Sequence, residues 1–419
     1  MKILIYGLNY SPELTGIGKY TGAMSDWLSL RGHNVKVVTA PPYYPEWKVH
    51  AGYSAWRYIR EPHASNAADV YRCPLWVPRR ATGITRILHL ASFMVTSLPL
   101  LFWQVWWRPQ IIFTVEPALF CAPSTWLVAR LCGAKAWLHV QDFEVDAAFA
   151  LGILRNRKLK KFVWAIEGWL LGRFDCVSTI SPNMVKTLED KRVAADRRVL
   201  FPNWVDTDTI RPLVGTSSYR DKLGITLNKI VALYSGNMGA KQGLEILAQV
   251  AERMQDDSRL AFVFCGNGVG RADLMARCAG LRNVHFLDLQ PAEKLGALLA
   301  TADIHLLPQR ADAADLVMPS KLTGMLASGR PVIATAHAGT ALAQVVAGCG
   351  LVVPPENPEA LANAITTLAA NPIQRESLGR AARSYAENKL SGDAILGAFE
   401  KELIKLCAAG RSKRPVGAK

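Results

Sequence analysis

The feature that most constrains this chain is its rhythm. Short apolar runs rich in Val, Ile and Leu alternate with helix-length segments from the first residue, pause near 207–224, and resume at Ile230. Strands that alternate with helices need crossover connections, which build a mainly parallel sheet covered by helices on both faces. Two such series in 419 residues exceed a single core. The expected fold class is α/β, with two doubly wound domains facing a cleft. The expected division is 1–206 for an N-terminal domain, 207–224 for a linker and 225–375 for a C-terminal domain. A helical region over 376–407 and a disordered tail over 408–419 complete it.

Met1–Leu8 is nearly all apolar, as a strand buried on both faces must be, and too short and β-branched for a signal peptide. A loop from Asn9 to Gly18 and a helix from about Lys19 to Arg31 lead to a second strand at Val35–Thr39. This is a βαβ unit with a glycine-containing loop at its ligand-bearing edge. The dinucleotide fingerprint needs Gly-x-Gly-x-x-Gly directly after the strand. Here Gly16 and Gly18 come late and Thr21 stands in the third position, which argues against a nicotinamide or flavin cofactor.

Asp303–Thr335 reads as strand, polar loop, helix and strand. Pro319-Ser320-Lys321 predicts a helix start with Ser320 as N-cap, ended by Gly329. Free N–H groups at a helix start beside a strand end attract anions. A lysine in the first turn opposes the helix dipole, so Lys321 points to a pyrophosphate site. An ordinary βαβ connection is the competing reading.

Net charge is +15 and uneven: residues 1–205 hold 25 Lys+Arg against 14 Asp+Glu. That excess favours an anionic surface or ligand, while no basic stripe interleaved with aromatics supports nucleic acid. The eight cysteines form no C-x-x-C pair and read as reduced core residues. Ile87–Trp107 lacks any Lys, Arg, Asp or Glu and lies between Arg86 and Arg108. Three readings stay open for it: a helix of the N-terminal domain, a monotopic helix in the membrane interface, or a span. Leu100, Trp103, Trp106, Trp107 and Arg108 are its candidate membrane or acceptor contacts, with the basic cluster Arg155, Arg157, Lys158, Lys160 and Lys161 as a possible neighbour.

Several motifs follow one another along the chain: Gly16-Ile17-Gly18, Asn203-Trp204-Val205-Asp206, Tyr234 to Gly239, Gly266-Asn267-Gly268, Ala302-Asp303, Pro319-Ser320-Lys321 and Ala327 to Pro331. Together they resemble the retaining glycosyltransferases of family 4, which have the GT-B fold of two Rossmann-like domains. In that fold a C-terminal helix crosses back to the N-terminal domain. The run from Leu138 to Leu154 is further similar to the subgroup that builds colanic-acid-type exopolysaccharides.

The resemblance implies a hexosyltransferase that moves a fucose-like or other hexose, with retention, from a GDP- or UDP-sugar to a polyprenyl-pyrophosphate-linked glycan. It implies a peripheral or monotopic protein at the cytoplasmic face of the inner membrane. The expected partners are that nucleotide-sugar, that acceptor and an anionic membrane surface, with no nucleic acid, no metal and no other cofactor. Two further readings keep the fold, a nucleotide-sugar 2-epimerase and a catalytically weak scaffold in a polysaccharide assembly complex.

By the same resemblance the donor-binding residues are Gly16, Gly18, Gly236, Asn237, Lys241, Gly266, Asn267, Leu287, Ser320 and Lys321. Two glutamates usual in the family fall on Leu316 and Gly324, so Asp312, Asp315 and Leu316 are the candidate sugar contacts. Asp142 ranks first as catalytic residue, then Glu144 and Asp146, because a carboxylate beside the anomeric carbon stabilises an oxocarbenium-like transition state. His139, inside the strand, reads as a core histidine, and Asp206 and Asp208 as capping acids.

Overall fold

The computed structural model describes residues 1–14, 16–61, 68–79, 83–115, 118–143, 157–213, 215, 217–239, 242–311 and 319–411. The chain forms two compact units, Met1–Pro202 with Asp393–Lys419 (unit 1) and Asn203–Gly392 (unit 2).

Unit 1 holds β1 (Lys2–Tyr6), β2 (Asn34–Thr39), β3 (Ile59–Arg60), β4 (Asp69–Arg72), β5 (Ile111–Val115), β6 (Lys135–Val140), β7 (Cys176–Thr179) and β8 (Arg198–Leu200). They lie in the order β3-β4-β2-β1-β5-β6-β7-β8, parallel except for the β3–β4 pair. Its helices are α1 (Gly16–Leu30), α2 (Gly83–Trp107), α3 (Ala118–Cys132), α4 (Arg157–Leu171) and α5 (Pro182–Asp190). α1 starts three residues before the expected Lys19, because Gly16-Ile17-Gly18 forms its first turn. Right-handed crossovers place α2, α3 and α4 on the same face of the sheet.

α2 is long and apolar enough to cross a membrane, yet it is fastened along one side to unit 1. His89, Leu90, Phe93, Ser97, Leu101 and Gln104 are buried, and Ser97 Oγ lies 2.7 Å from Tyr6 Oη of the first strand. His89 Nδ1 donates to the Trp76 carbonyl at 2.7 Å and Tyr58 Oη to that of Thr96 at 2.8 Å. These polar anchors make α2 a part of this unit's core, with its other side exposed.

Unit 2 holds β9 (Ile230–Ser235), β10 (Leu260–Cys265), β11 (Val284–Leu287), β12 (Ile304–Leu307), β13 (Val332–Thr335) and β14 (Gly350–Val353). All are parallel, in the order β11-β10-β9-β12-β13-β14. Numbered from its own first strand this is 3-2-1-4-5-6, and the order reverses between β9 and β12, where such sheets bind ligands. Its helices are α6 (Ser218–Lys222), α7 (Glu245–Arg253), α8 (Arg271–Arg277), α9 (Leu295–Leu299), α10 (Lys321–Ala327), α11 (Ala341–Ala347), α12 (Pro358–Ala370) and α13 (Pro372–Lys389). A last helix, α14 (Gly392–Arg411), carries the chain back to unit 1.

Three boundaries differ from expectation. The stretch expected as linker, 207–224, is folded into unit 2, since Ile210 and Tyr219 enter its core beside Ile225. The helical region expected over 376–407 is two helices, broken at Leu390 and Ser391, where Val205 N donates to Leu390 O and Gly392 N to Val205 O. Those backbone bonds take the amide and carbonyl that a continuous helix would use. Residues 200–206, expected as a strand and turn, hold only the end of β8 and an isolated bridge from Val205 to Ser391.

α14 packs by an aromatic stack, Phe399 on Phe201 with centroids 4.3 Å apart, which also meets Phe113 and Trp137. Glu400 accepts from Arg31 Nη2 at 3.1 Å and pairs with His33 Nε2 at 2.8 Å.

Candidate functional site

In unit 2 the loops that follow β9 and β10 approach each other at backbone distance. Gly236 N donates to Cys265 O, Met238 N to Asn267 O and Gly270 N to Met238 O. A Cβ on Gly266 would stand 1.9 Å from the Gly236 carbonyl oxygen, and Gly266 has φ +152°. No other residue type fits there, because both the space and the backbone conformation exclude a side chain.

Against this pair lies Lys321, at the start of α10. Its Nζ donates to Tyr234 Oη at 2.8 Å and sits 4.1 Å from the centre of the same ring. Tyr234 Oη in turn donates to Asn237 O at 2.6 Å. The lysine stem runs past Gly236, where an added Cβ would touch its Cδ at 3.6 Å. Among the described residues no carboxylate pairs with this ammonium. Desolvation lowers it to about 7. A cation held by a phenol and an aromatic face, with no carboxylate partner among the described residues, is a ready partner for a phosphate.

The capping expectation at this helix fails. Ser320 has helical backbone angles, φ −59° and ψ −24°, and its side chain makes no cap bond. From that conformation its hydroxyl cannot reach the first free amides, and Leu322 N bonds to Pro319 O instead. Gly324, in the place of the second expected glutamate, is buried, and a Cβ there would meet Leu299 Cδ1 at 3.1 Å. Leu287 ends β11, and its carbonyl accepts from Gly266 N at 3.0 Å. Lys241, Asp312, Asp315 and Leu316 lie outside the described residues.

Unit 1 has a cavity of about 160 Å³ at the carboxyl ends of its strands. It is smaller than the roughly 300–1,000 Å³ of sites that enclose a whole drug-sized ligand, so it has room for one chemical group rather than a whole ligand. Two expected residues, Gly16 and Asp142, meet in it, together with Tyr44, Trp47, Arg86 and His89. Trp47 has φ +54° and lies 5.2 Å from the His89 ring, which wedges it in place. A bulky residue in the left-handed region is strained by about 1–3 kcal/mol, and such strain gathers at binding sites.

Gly18 serves a different purpose from the expected ligand contact. A Cβ on it would meet Glu13 Oε2 at 2.5 Å. Glu13 is buried and ties two loops together, accepting from Asn9 Nδ2 at 2.9 Å, Tyr43 N at 3.2 Å and Tyr44 N at 3.1 Å. Burial outweighs those donors and raises its carboxyl to about 7.

His139 is a core residue, as expected. Gln141 Nε2 lies 2.9 Å from its Nε2 and Ser178 Oγ 2.9 Å from its Nδ1, while Phe113 stacks on the ring at 5.7 Å. Burial lowers it to about 3, so it stays neutral. Asp206 caps its own turn, its Oδ1 accepting from the amides of Asp208 and Thr209, both at 2.9 Å. Glu144 and Asp146 lie outside the described residues. Of the α2 candidates, Trp103, Trp106 and Arg108 are exposed, whereas Leu100 and Trp107 are half-buried, with Lys36 Nζ 4.6 Å from the Trp107 ring.

Sequence reasoning missed Tyr234, Glu13, Trp47 and Arg86. Tyr234 stood inside a recognised motif but reads as one more apolar strand residue. The close approach behind Gly18 was visible only as a glycine in a loop.

Two family models cover most of the chain: a glycosyl transferase 4-like domain matches residues 15–204, and glycosyl transferases group 1 match 216–385. The Escherichia coli protein WcaI, named provisionally as a colanic acid biosynthesis glycosyl transferase, is 45% identical over 413 residues, 96% of this chain and 100% of its own. Sucrose-phosphate synthase from Thermosynechococcus elongatus has the same fold with a TM-score of 0.75 at 18% identity, covering 97% of this chain and 99% of its own. Anabaena HepE, solved with UDP and glucose, gives 0.67 at 15% identity, covering 97% and 100%. With two Rossmann-like units, glycine loops laced at a topological switch point and a full-length relative at this identity, the chain belongs to the family 4 glycosyltransferases of the GT-B fold.

Proposed function

We propose that this glycosyltransferase moves a hexosyl unit, with retention, from a GDP- or UDP-linked sugar to a polyprenyl-pyrophosphate glycan during exopolysaccharide assembly, at the cytoplasmic face of the inner membrane. The observation that carries this reading is the Lys321 ammonium, set without a carboxylate partner among the described residues beside the Gly236 and Gly266 loops. Departure of a nucleoside diphosphate builds negative charge on its terminal oxygens, and a preorganised cation beside backbone that a phosphate can approach stabilises that charge. The full-length relation to a protein named for colanic acid biosynthesis supports the exopolysaccharide setting. UDP bound to a relative of the same fold supports a nucleotide-sugar donor.

In unit 1 the chemistry suits an acceptor. Trp47 and Tyr44 offer aromatic faces to a sugar ring, Asp142 a carboxylate to its attacking hydroxyl, and Arg86 a cation to a phosphate. As the anomeric C–O bond to the diphosphate breaks and its electron pair leaves with the diphosphate, the acceptor oxygen bonds on the same face and its proton passes to a departing diphosphate oxygen. Asp142 accepts a hydrogen bond from the hydroxyl that attacks. The exposed apolar side of α2 supports a reaction at the bilayer.

The test incubates the purified full-length protein in detergent with radiolabelled GDP- and UDP-sugars and a polyprenyl-pyrophosphate sugar, and reads the product's anomeric configuration by NMR. One donor should give a lipid-linked product with the configuration retained. No transfer from any donor, or an inverted product, overturns the reading.

A further inference from the structure

The cavity of unit 1 is walled by two loops that follow neighbouring strands. Asn9 and Gly16 come from the loop after β1 and the start of α1, and Tyr43, Tyr44 and Trp47 from the loop after β2. The second loop closes on itself, with Lys48 N donating to Tyr43 O and His50 N to Pro42 O. Trp47 is therefore carried by the same turn as Tyr43 and Tyr44. Two buried ionic side chains join this turn to the first loop, Arg72 and Glu13, 1% and 3% exposed. At the base, Arg72 donates to the Ala40 carbonyl at 2.9 Å and to that of Ser11. At the cavity, Glu13 Oε1 accepts from the amides of Tyr43 and Tyr44, and Oε2 from Asn9 Nδ2.

All three residues that donate to Glu13 line the cavity. Burying a carboxyl is costly unless such bonds satisfy it. An apolar side chain would pack the loops together without that cost, but would orient neither the two amides nor the Asn9 carboxamide. With Nδ2 turned to Glu13, Oδ1 is the end of Asn9 left to accept from a sugar hydroxyl. Room for the carboxyl depends on Gly18, where a Cβ would meet Glu13 Oε2 at 2.5 Å and Glu13 Cβ at 2.8 Å. Gly18 lies in the first turn of α1, a place where alanine would favour the helix.

We propose that Glu13 is a positioning residue for the sugar acceptor, holding Asn9, Tyr44 and Trp47 in the arrangement that receives the reacting sugar while touching neither sugar nor donor itself. The proposal rests on the reading of this cavity as the acceptor side. When the joint between the loops opens, the fraction of protein competent to bind falls, and apparent affinity falls in proportion. An acceptor that has bound still reacts at the ordinary rate. The signature is a raised acceptor KM at unchanged kcat.

The experiment is steady-state kinetics of the full-length protein in detergent, with the polyprenyl-pyrophosphate sugar and the nucleotide-sugar varied in turn. Gly18→Ala keeps the glutamate but displaces it, and Glu13→Gln keeps one accepting oxygen. Acceptor KM should rise about tenfold in Gly18→Ala and about threefold in Glu13→Gln, with kcat and donor KM within about twofold of wild type. Hydrogen exchange over a peptide spanning Tyr43 to Trp47, read by mass spectrometry, should quicken in both variants and stay unchanged over β1. If Gly18→Ala does not fold, Glu13→Gln alone decides. A lower melting temperature with a wild-type acceptor KM would show that Glu13 only supports the fold, and overturns the proposal. A rise in donor KM instead also overturns it and gives the glycine loop to the donor. If wild type binds the acceptor but transfers nothing, the reaction reading fails. Acceptor dissociation constants of the same variants then decide this proposal, and should rise by the same factors. A wild type that does not bind the acceptor overturns it.

Discussion

The Lys321 ammonium and the Tyr234 hydroxyl are 2.8 Å apart, with the lysine nitrogen lying over the tyrosine's own ring. A neutral partner holds this cation in position without neutralising it. With the ammonium lowered to about 7, the donor-free protein carries only part of that charge at neutral pH. A bound diphosphate should restore it.

Donor binding should therefore take up a proton at pH 8. Calorimetry in two buffers of different ionisation enthalpy would show it, and identical heats would count against the site. The unfolded lysine titrates near 10.5, so between pH 7 and that value the unfolded chain holds more protons. Stability of the donor-free protein should accordingly rise with pH across this window by the Lys321 contribution. Lys321→Met should lower kcat/KM by roughly 100-fold, the scale expected for losing one charged hydrogen bond to a transition state.

Gly266→Ala should be among the most damaging small substitutions in the chain, since its Cβ meets a carbonyl oxygen at 1.9 Å. We expect more than about 4 kcal/mol of destabilisation, in the range reserved for named structural conflicts. Gly339→Ala, at φ +85° with nothing within 4 Å, should cost only about 1 kcal/mol. Urea unfolding of the two variants separates close approach from backbone strain alone.

Glu13→Ala would leave the buried amides of Tyr43 and Tyr44 without their acceptor, at a cost of about 2–4 kcal/mol. Glu13→Gln keeps one accepting oxygen and should lose much less. Because the folded carboxyl titrates near 7 and the unfolded one near 4.5, the folded state holds the extra proton between those values. The Glu13 contribution is then complete below pH 4.5 and lost as pH rises through 7. The glutamine variant should lack this slope in thermal melts taken from pH 5 to 8.

Asp142→Asn should reduce turnover by about 100-fold and leave donor affinity unchanged, as expected for a group that acts in the transition state at the acceptor side. Equal loss in both measurements would move Asp142 from catalysis to donor binding.

Much of the fold was legible because its signals are local. Apolar strand runs and helix-length intervals carry the parallel sheets directly, and the late glycines of the first loop already argued against a dinucleotide. On the donor side Lys321 was legible from its place at a helix start, and Gly236 only through the family resemblance. The lysine's partner Tyr234 was not, since a buried strand tyrosine looks the same whether its hydroxyl meets a lysine or the core. The helix break at Leu390 was hidden because backbone bonds to Val205, far away in sequence, decide it. Arg86 and Trp47 were missed for a similar reason: only the folded unit brings them to Asp142.

The return of the last helix to the first unit has a practical consequence for anyone recombining such enzymes. Unit 2 is an insertion between Pro202 and Asp393, not the second half of a tandem. A donor-side module grafted from a relative should therefore be cut at both of these points and should keep the host's own α14. A single-crossover chimera would pair a foreign Phe399 and Glu400 with the host's Phe201 and His33, and so alter the core of the unit it meant to preserve.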